Sequence, residues 1–158
     1  MTPRALVVVA TYNQVGHLRR ALRGYLRQTC RDFALVVADD GSSDGTGGLV
    51  EKLRSEFADR GIDLRHVRQD DRGFRKCRIL NEAVRRGPQA PLLVFSDGDC
   101  IPPAHFVDRH VDAHEPWSLH VGGAIRLTQE QADSLSEADV DAGLYERLTN
   151  ERSERDVR

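Results

Sequence analysis

At 158 residues the chain is long enough for one domain with a single core and too short for two comfortable ones. Its 39% hydrophobic and 30% charged residues describe a soluble globular protein, and a formal charge of -2 gives no bias toward nucleic acid. The three cysteines, Cys30, Cys77 and Cys100, are far apart and lack CxxC spacing, which argues against a disulfide framework or zinc knuckle and for a reducing cytosol.

The apolar run from Ala5 to Ala10 is too short for a signal peptide, and no stretch approaches the ~20 apolar residues of a membrane span. Leu6–Ala10 instead reads as a strand buried on both faces of a parallel sheet. Val15, Leu18, Leu22, Tyr25 and Leu26 then recur at helical spacing, with Arg19, Arg20, Arg23 and Arg27 largely between them. Phe33–Ala38 repeats the strand pattern, and the turn from Asp39 to Asp44 offers Ser42, Ser43 and Asp44 as caps for a helix over Thr46–Ala58. A third strand is expected over Ile62–Val67, a third helix over Arg75–Arg86, and a fourth strand over Leu92–Phe95.

This βαβαβαβ alternation predicts an α/β fold with a mostly parallel sheet flanked by helices, whose ligands bind beyond the carboxyl ends of the strands. Beyond the fourth strand, Pro102-Pro103 is expected to open a helix to about His114, and Leu119–Ile125 reads as one more strand. The domain is expected over residues 1–128. Residues 129–158 are polar and helix-prone, with six of the last eight charged, and are expected to form a marginal helix or an unpaired extension.

Two acidic turns carry chemistry. In Ser96-Asp97-Gly98-Asp99, two carboxylates separated by one small residue can both face a polyphosphate, and their hard oxygens suit Mg²⁺ or Mn²⁺. Such an ion would stabilise a departing diphosphate. Asp39-Asp40-Gly41 lies on the same sheet edge, where a carboxylate can accept hydrogen bonds from a base N–H or from ribose hydroxyls.

Four segments in order, Ala10-Thr11-Tyr12-Asn13, Asp39-Asp40-Gly41-Ser42-Ser43-Asp44, Gly73–Asn81 and Ser96-Asp97-Gly98-Asp99-Cys100, resemble family 2 glycosyltransferases over about residues 5–125. The resemblance implies a GT-A (Rossmann-like) fold, a nucleotide-diphospho-sugar donor, Mn²⁺ or Mg²⁺ as cofactor, and inverting transfer to a glycan or lipid-linked hydroxyl. It implies further that Thr11, Tyr12 and Asn13 line the nucleotide pocket, with Asp40 on the base, Asp97 near ribose or sugar, and Asp99 on the metal with Asp97. Arg78 and Asn81 would sit near the donor, with Arg75 or Lys76 neutralising phosphate. Relatives often carry a basic residue just before the asparagine, where this chain has Leu80.

The acceptor-side general base of such enzymes is expected beyond residue 158. Asp133, Glu137, Asp139 and Asp141 lack a glycine-rich or aromatic acceptor motif around them. His110 and His114 read as structural or surface residues and Cys100 as a small buried one. The arginines of the first helix could meet an anionic surface at the inner face of a membrane, though a solvated face is the plainer expectation. Two other functional classes compete: a non-catalytic nucleotide-sugar-binding module, and a phospho-receiver domain. The latter needs a lysine after a late strand, and no lysine follows Lys76.

Overall fold

The computed structural model describes residues 2–147. β1 (Ala5–Thr11) and β2 (Phe33–Asp39) are buried at every residue. β3 (Asp63–Arg68) and β4 (Leu92–Asp97) bury residues intermittently instead. The difference follows from the strand order β3-β2-β1-β4, which puts the two continuous apolar runs at the centre and the two mixed ones at the edges.

All three pairings are parallel, and their register aligns the strand ends: Thr11 beside Asp39, Asp39 beside Arg68, and Ala10 beside Asp97. The polar residues that follow each strand therefore emerge along one edge of the sheet.

α1 (Val15–Leu26) and α2 (Thr46–Ala58) cover one face, where Leu18, Leu22, Tyr25, Val50 and Phe57 pack with Val7, Val9, Leu35 and Val37. α3 (Lys76–Arg86) covers the other, setting Ile79 and Ala83 against Leu6, Val8 and Val36. Each fully buried aliphatic side chain contributes roughly 1.5–3 kcal/mol. α3 leaves part of β4 uncovered: Leu93 and Phe95, in register with Leu6 and Val8, remain exposed.

The helix expected from Pro102 to His114 is shorter, running as α4 over Phe106–Asp112. The preceding carbonyls are engaged elsewhere: Pro102 O accepts from Tyr145 Oη at 2.6 Å, Pro103 O from Gln28 Nε2 at 2.8 Å and Ala104 O from Thr29 N at 3.0 Å. The strand expected over Leu119–Ile125 does not form. Among the described residues no strand lies beside it, Leu119 and Val121 are exposed, and Gly122-Gly123 raise the entropic cost of holding it extended.

The tail, expected as a marginal helix or an unpaired extension, is packed in its described part. Its described part forms α5 (Gln129–Ser134) and α6 (Glu137–Ala142), each opened by a capping box, from Thr128 with Gln131 and from Ser136 with Asp139. α6 packs against α1, and Leu135, Val140 and Tyr145 form a small buried cluster with Ile101 and Leu127. Sparse apolar residues suffice because the polar ones also find partners. Arg23 meets Asp141 through two bonds of 2.6 and 2.5 Å, Arg27 meets Glu146 at 2.7 Å, and Arg20 donates to the carbonyls of Ala132 and Leu135. The arginine face of α1 is thus largely occupied by this chain's own tail. Among the described residues no helix is long and apolar enough to cross a membrane.

Val140→Asp should release the tail, since it places a charge where a fully buried valine stood. Hydrogen exchange should show protection lost across residues 129–147 and kept in β1 and β2.

Candidate functional site

The site grows from the carboxyl ends of the four strands. Backbone bonds extend the ladder past them: Asp40 N–H donates to Thr11 O at 3.0 Å, Gln69 N–H to Asp39 O at 3.2 Å, and Gly98 N–H to Ala10 O at 2.7 Å. These bonds bring Thr11–Asn13, Asp39–Asp44, Gln69–Arg75 and Asp97–Cys100 together.

Asp39, fully buried, is the anchor. Its Oδ1 accepts from the backbone N–H groups of Ser42 at 2.8 Å and Gly41 at 3.2 Å, and its Oδ2 meets His66 Nε2 at 2.9 Å. Burial pushes its carboxyl up, but the bonds from His66 and Ser42 outweigh that and hold it below the usual carboxylate range.

Asp40 is buried beside it. Its Oδ2 accepts the Arg75 backbone N–H at 2.8 Å and its Oδ1 accepts from Gln69 Nε2. Gly41 makes this packing possible: its φ is +100°, and a Cβ there would lie 2.5 Å from the backbone nitrogen of Asp71. Tyr12 holds the loop after β3, its hydroxyl donating to Asp71 Oδ2 at 2.9 Å, an interaction that pushes the phenol up.

Ser42 and Ser43, expected as helix caps, bind the β1–α1 loop instead. Ser42 Oγ accepts from Asn13 N at 2.9 Å, and Ser43 N donates to Asn13 Oδ1 at 2.8 Å, which holds Asn13 at a φ of +47°. Asp44 serves two helices, accepting from Val15 N at the start of α1 at 2.7 Å and from Thr46 N at the start of α2 at 3.2 Å. Negative charge at both amino termini is favourable. Thr11 is buried, and its hydroxyl has no hydrogen-bond partner among the described residues.

On β4, Asp97 is exposed and ion-paired to Lys76, and Asp99 is exposed with the Cys100 thiol at 3.6 Å. Gly98 lets this turn approach β1, since a Cβ would lie 2.9 Å from Ala10 O. Burial first, and then Asp99, pushes the Cys100 thiol up, away from nucleophilic thiolate.

Of the cations suggested by sequence, Lys76 reaches Asp97, while the Arg75 guanidinium turns to the Asp70 carbonyl. Arg78 and Asn81 are exposed on α3, and among the described residues neither side chain is bonded to the aspartates. Glu137 and Asp141 are paired to α1 arginines and Asp139 caps α6. His110 packs edge-on against Phe106, with ring centroids 4.6 Å apart.

Sequence reasoning named Asp39 only as part of its acidic turn, and missed His66, Gln69 and Asp71. The signal for Gln69 and Asp71 was position, polar residues just past the end of β3, while His66 lies within that strand. A groove at the opposite end of the strands, lined by Leu6, Gly87, Pro88 and Leu93 among others, lies away from the carboxylates. The acidic edge, where the fold converges polar side chains, is the candidate site.

The sequence model of glycosyl transferase family 2 matches residues 6–154, and the chain belongs to that family. It is 36% identical over 114 residues to validoxylamine A glucosyltransferase of Streptomyces hygroscopicus subsp. jinggangensis, covering 71% of this chain and 26% of that protein. Polyprenol monophosphomannose synthase of Mycolicibacterium smegmatis is 30% identical over 101 residues, 64% of this chain and 38% of the synthase. Among solved structures, the mannosyltransferase PcManGT from Pyrobaculum calidifontis, in complex with GDP-Man and Mn²⁺, superposes with a TM-score of 0.59 at 30% identity, over 70% of this chain and 31% of that one. S. aureus TarS 1-349 shares the fold at a TM-score of 0.56 and 23% identity, over 67% of this chain and 30% of that one. The chain thus spans about a quarter to two fifths of these proteins. Family membership removes the phospho-receiver reading.

Because the Asp39 carboxyl is held low, its contribution is present above the unfolded-state pKa of about 4 and lost as pH falls through the folded value. Asp39→Asn should therefore cost about 1–3 kcal/mol at pH 7. In thermal melts the gap from the parent should shrink below about pH 4.

Proposed function

We propose that this chain, as a member of glycosyl transferase family 2, binds the nucleotide-diphosphate part of an activated sugar at the acidic strand edge. It would take part in transfer of the sugar, with inversion, to a glycan or lipid-linked hydroxyl. The observation that carries this reading is the convergence of Thr11–Asn13, Asp40 and Asp97–Asp99 on one edge, ordered by the aligned strand ends.

Asp40 supplies acceptor lone pairs for a base N–H, Tyr12 and Asn13 border the base and ribose, and Asp97 and Asp99 face the diphosphate. Among the described residues no three His, Cys, Asp or Glu side chains gather into a protein-only metal cage. The two exposed carboxylates of Asp97 and Asp99 fit an ion that takes its other ligands from phosphate oxygens and water, as Mg²⁺ and Mn²⁺ do. When bound, that ion supplies positive charge against the leaving diphosphate. Lys76, now on Asp97, is a second cation within reach of that charge.

Mn²⁺ accompanies GDP-Man in the PcManGT complex, which supports the ion assignment. The general base remains an expectation outside the described residues, since Glu137 and Asp141 are paired to α1 arginines and the Asp139 carboxylate caps α6. That engagement favours, as a second reading, donor binding without turnover by this stretch of chain alone.

Calorimetry with GDP and UDP, each with and without Mn²⁺, tests the proposal. One nucleotide should bind at least about tenfold tighter with Mn²⁺, and Asp99→Asn should abolish the gain while leaving metal-free binding intact. Binding indifferent to both metal and Asp99 would refute the assignment.

A further inference from the structure

Gln69 belongs to no motif, yet it occupies a central position at the site. It follows β3 directly, its backbone N–H continues the ladder to Asp39 O, and its side chain lies between Asp40 and the chain entering α3. Its Nε2 donates to Asp40 Oδ1 and also, at 3.2 Å, to Arg75 O. Both partners are acceptors, so the orientation of the amide is fixed by the network. In that orientation Oε1 is buried with no hydrogen-bond partner among the described residues. The unpaired acceptor is a cost, set against the donor that the same amide supplies to the buried Asp40.

What the residue achieves is orientation. Asp40 Oδ2 is held by the Arg75 backbone N–H and Oδ1 by Gln69, two donors that fix the carboxylate plane. Each oxygen keeps one further lone-pair direction for a ligand. The same amide bridges Asp40 and Arg75, so the carboxylate is tied to the start of α3. A carboxylate left to rotate would pay an ordering cost on each binding event.

We propose that Gln69 is a positioning residue for nucleobase recognition, acting through Asp40. The proposal rests on the nucleotide-binding reading given above. The ionisable groups around the clasp are Asp40 on the β2 turn and Arg75 before α3, with Tyr12 and Asp71 next outward.

The test is calorimetric binding of GDP and UDP, with Mn²⁺, to the parent chain, Gln69→Leu and Gln69→Glu. Gln69→Leu should weaken the preferred nucleotide about tenfold while the protein stays folded by circular dichroism. Gln69→Glu sets a second carboxylate against Asp40, where the pair must share a proton to restore the bond. Its affinity should approach the parent's near pH 5.5 and fall about tenfold by pH 8, a decline the parent does not show. Parent-like binding by both variants across that range would overturn the role of Gln69 and leave the nucleotide site standing. Failure of the folded parent to bind either nucleotide would overturn the site itself, and this inference with it.

Discussion

Two adjacent carboxylates at the end of a buried strand impose the constraint on which the site depends. Asp39 and Asp40 are taken almost wholly out of water, and a buried carboxylate is tolerable only when donors surround it. Asp39 recruits His66 and the backbone of Gly41 and Ser42, while Asp40 recruits Gln69 and the backbone of Arg75. Meeting those demands draws the loops after β2 and β3 together. Ser42 and Ser43 then pass the order on to Asn13 in the loop after β1. An edge that is polar and yet fixed is the result, with exposed carboxylates at the end of β4, Asp97, and in the turn after it, Asp99.

The rest of the fold serves that edge by holding the strand ends in register. Continuous burial of β1 and β2 puts them at the centre of the sheet, where a slip in pairing would displace Asp40 relative to Asp97. The helix layers fix the other direction. Asp44 ties the starts of α1 and α2 to one carboxylate, so the helices that pack the core also set the loops that shape the site. On the far side of α1, the docked tail neutralises an arginine face that would otherwise be strongly basic.

Much of this was legible in the sequence because it rests on local pattern. The Val-rich runs, the amphipathic spacing of α1 and the acidic turns after strands gave the parallel α/β fold and the edge that carries the carboxylates. What escaped were features that depend on partners distant in sequence. Leu119–Ile125 has strand-like composition, but a strand exists only beside another strand. The tail looked unable to pack because its three buried side chains, Leu135, Val140 and Tyr145, are few, and nothing local reveals that Arg20, Arg23 and Arg27 await it some 118 residues upstream. Gln69 and His66 lie outside any motif and become visible only when β3 is set beside β2. Ser42 and Ser43 resembled caps because the same hydroxyl chemistry serves a helix end or a neighbouring loop.

The central claim is that a nucleotide diphosphate and a divalent ion meet at this edge. Paramagnetic broadening of backbone amide resonances by Mn²⁺, in the presence of the nucleotide that binds, tests it most directly. The account predicts that broadening is strongest at residues 97–100, reaches Thr11–Asn13 and Asp40–Ser42, and spares the groove at Gly87–Pro91. Broadening centred on that groove or on the acidic tail, with residues 97–100 unaffected, would contradict it.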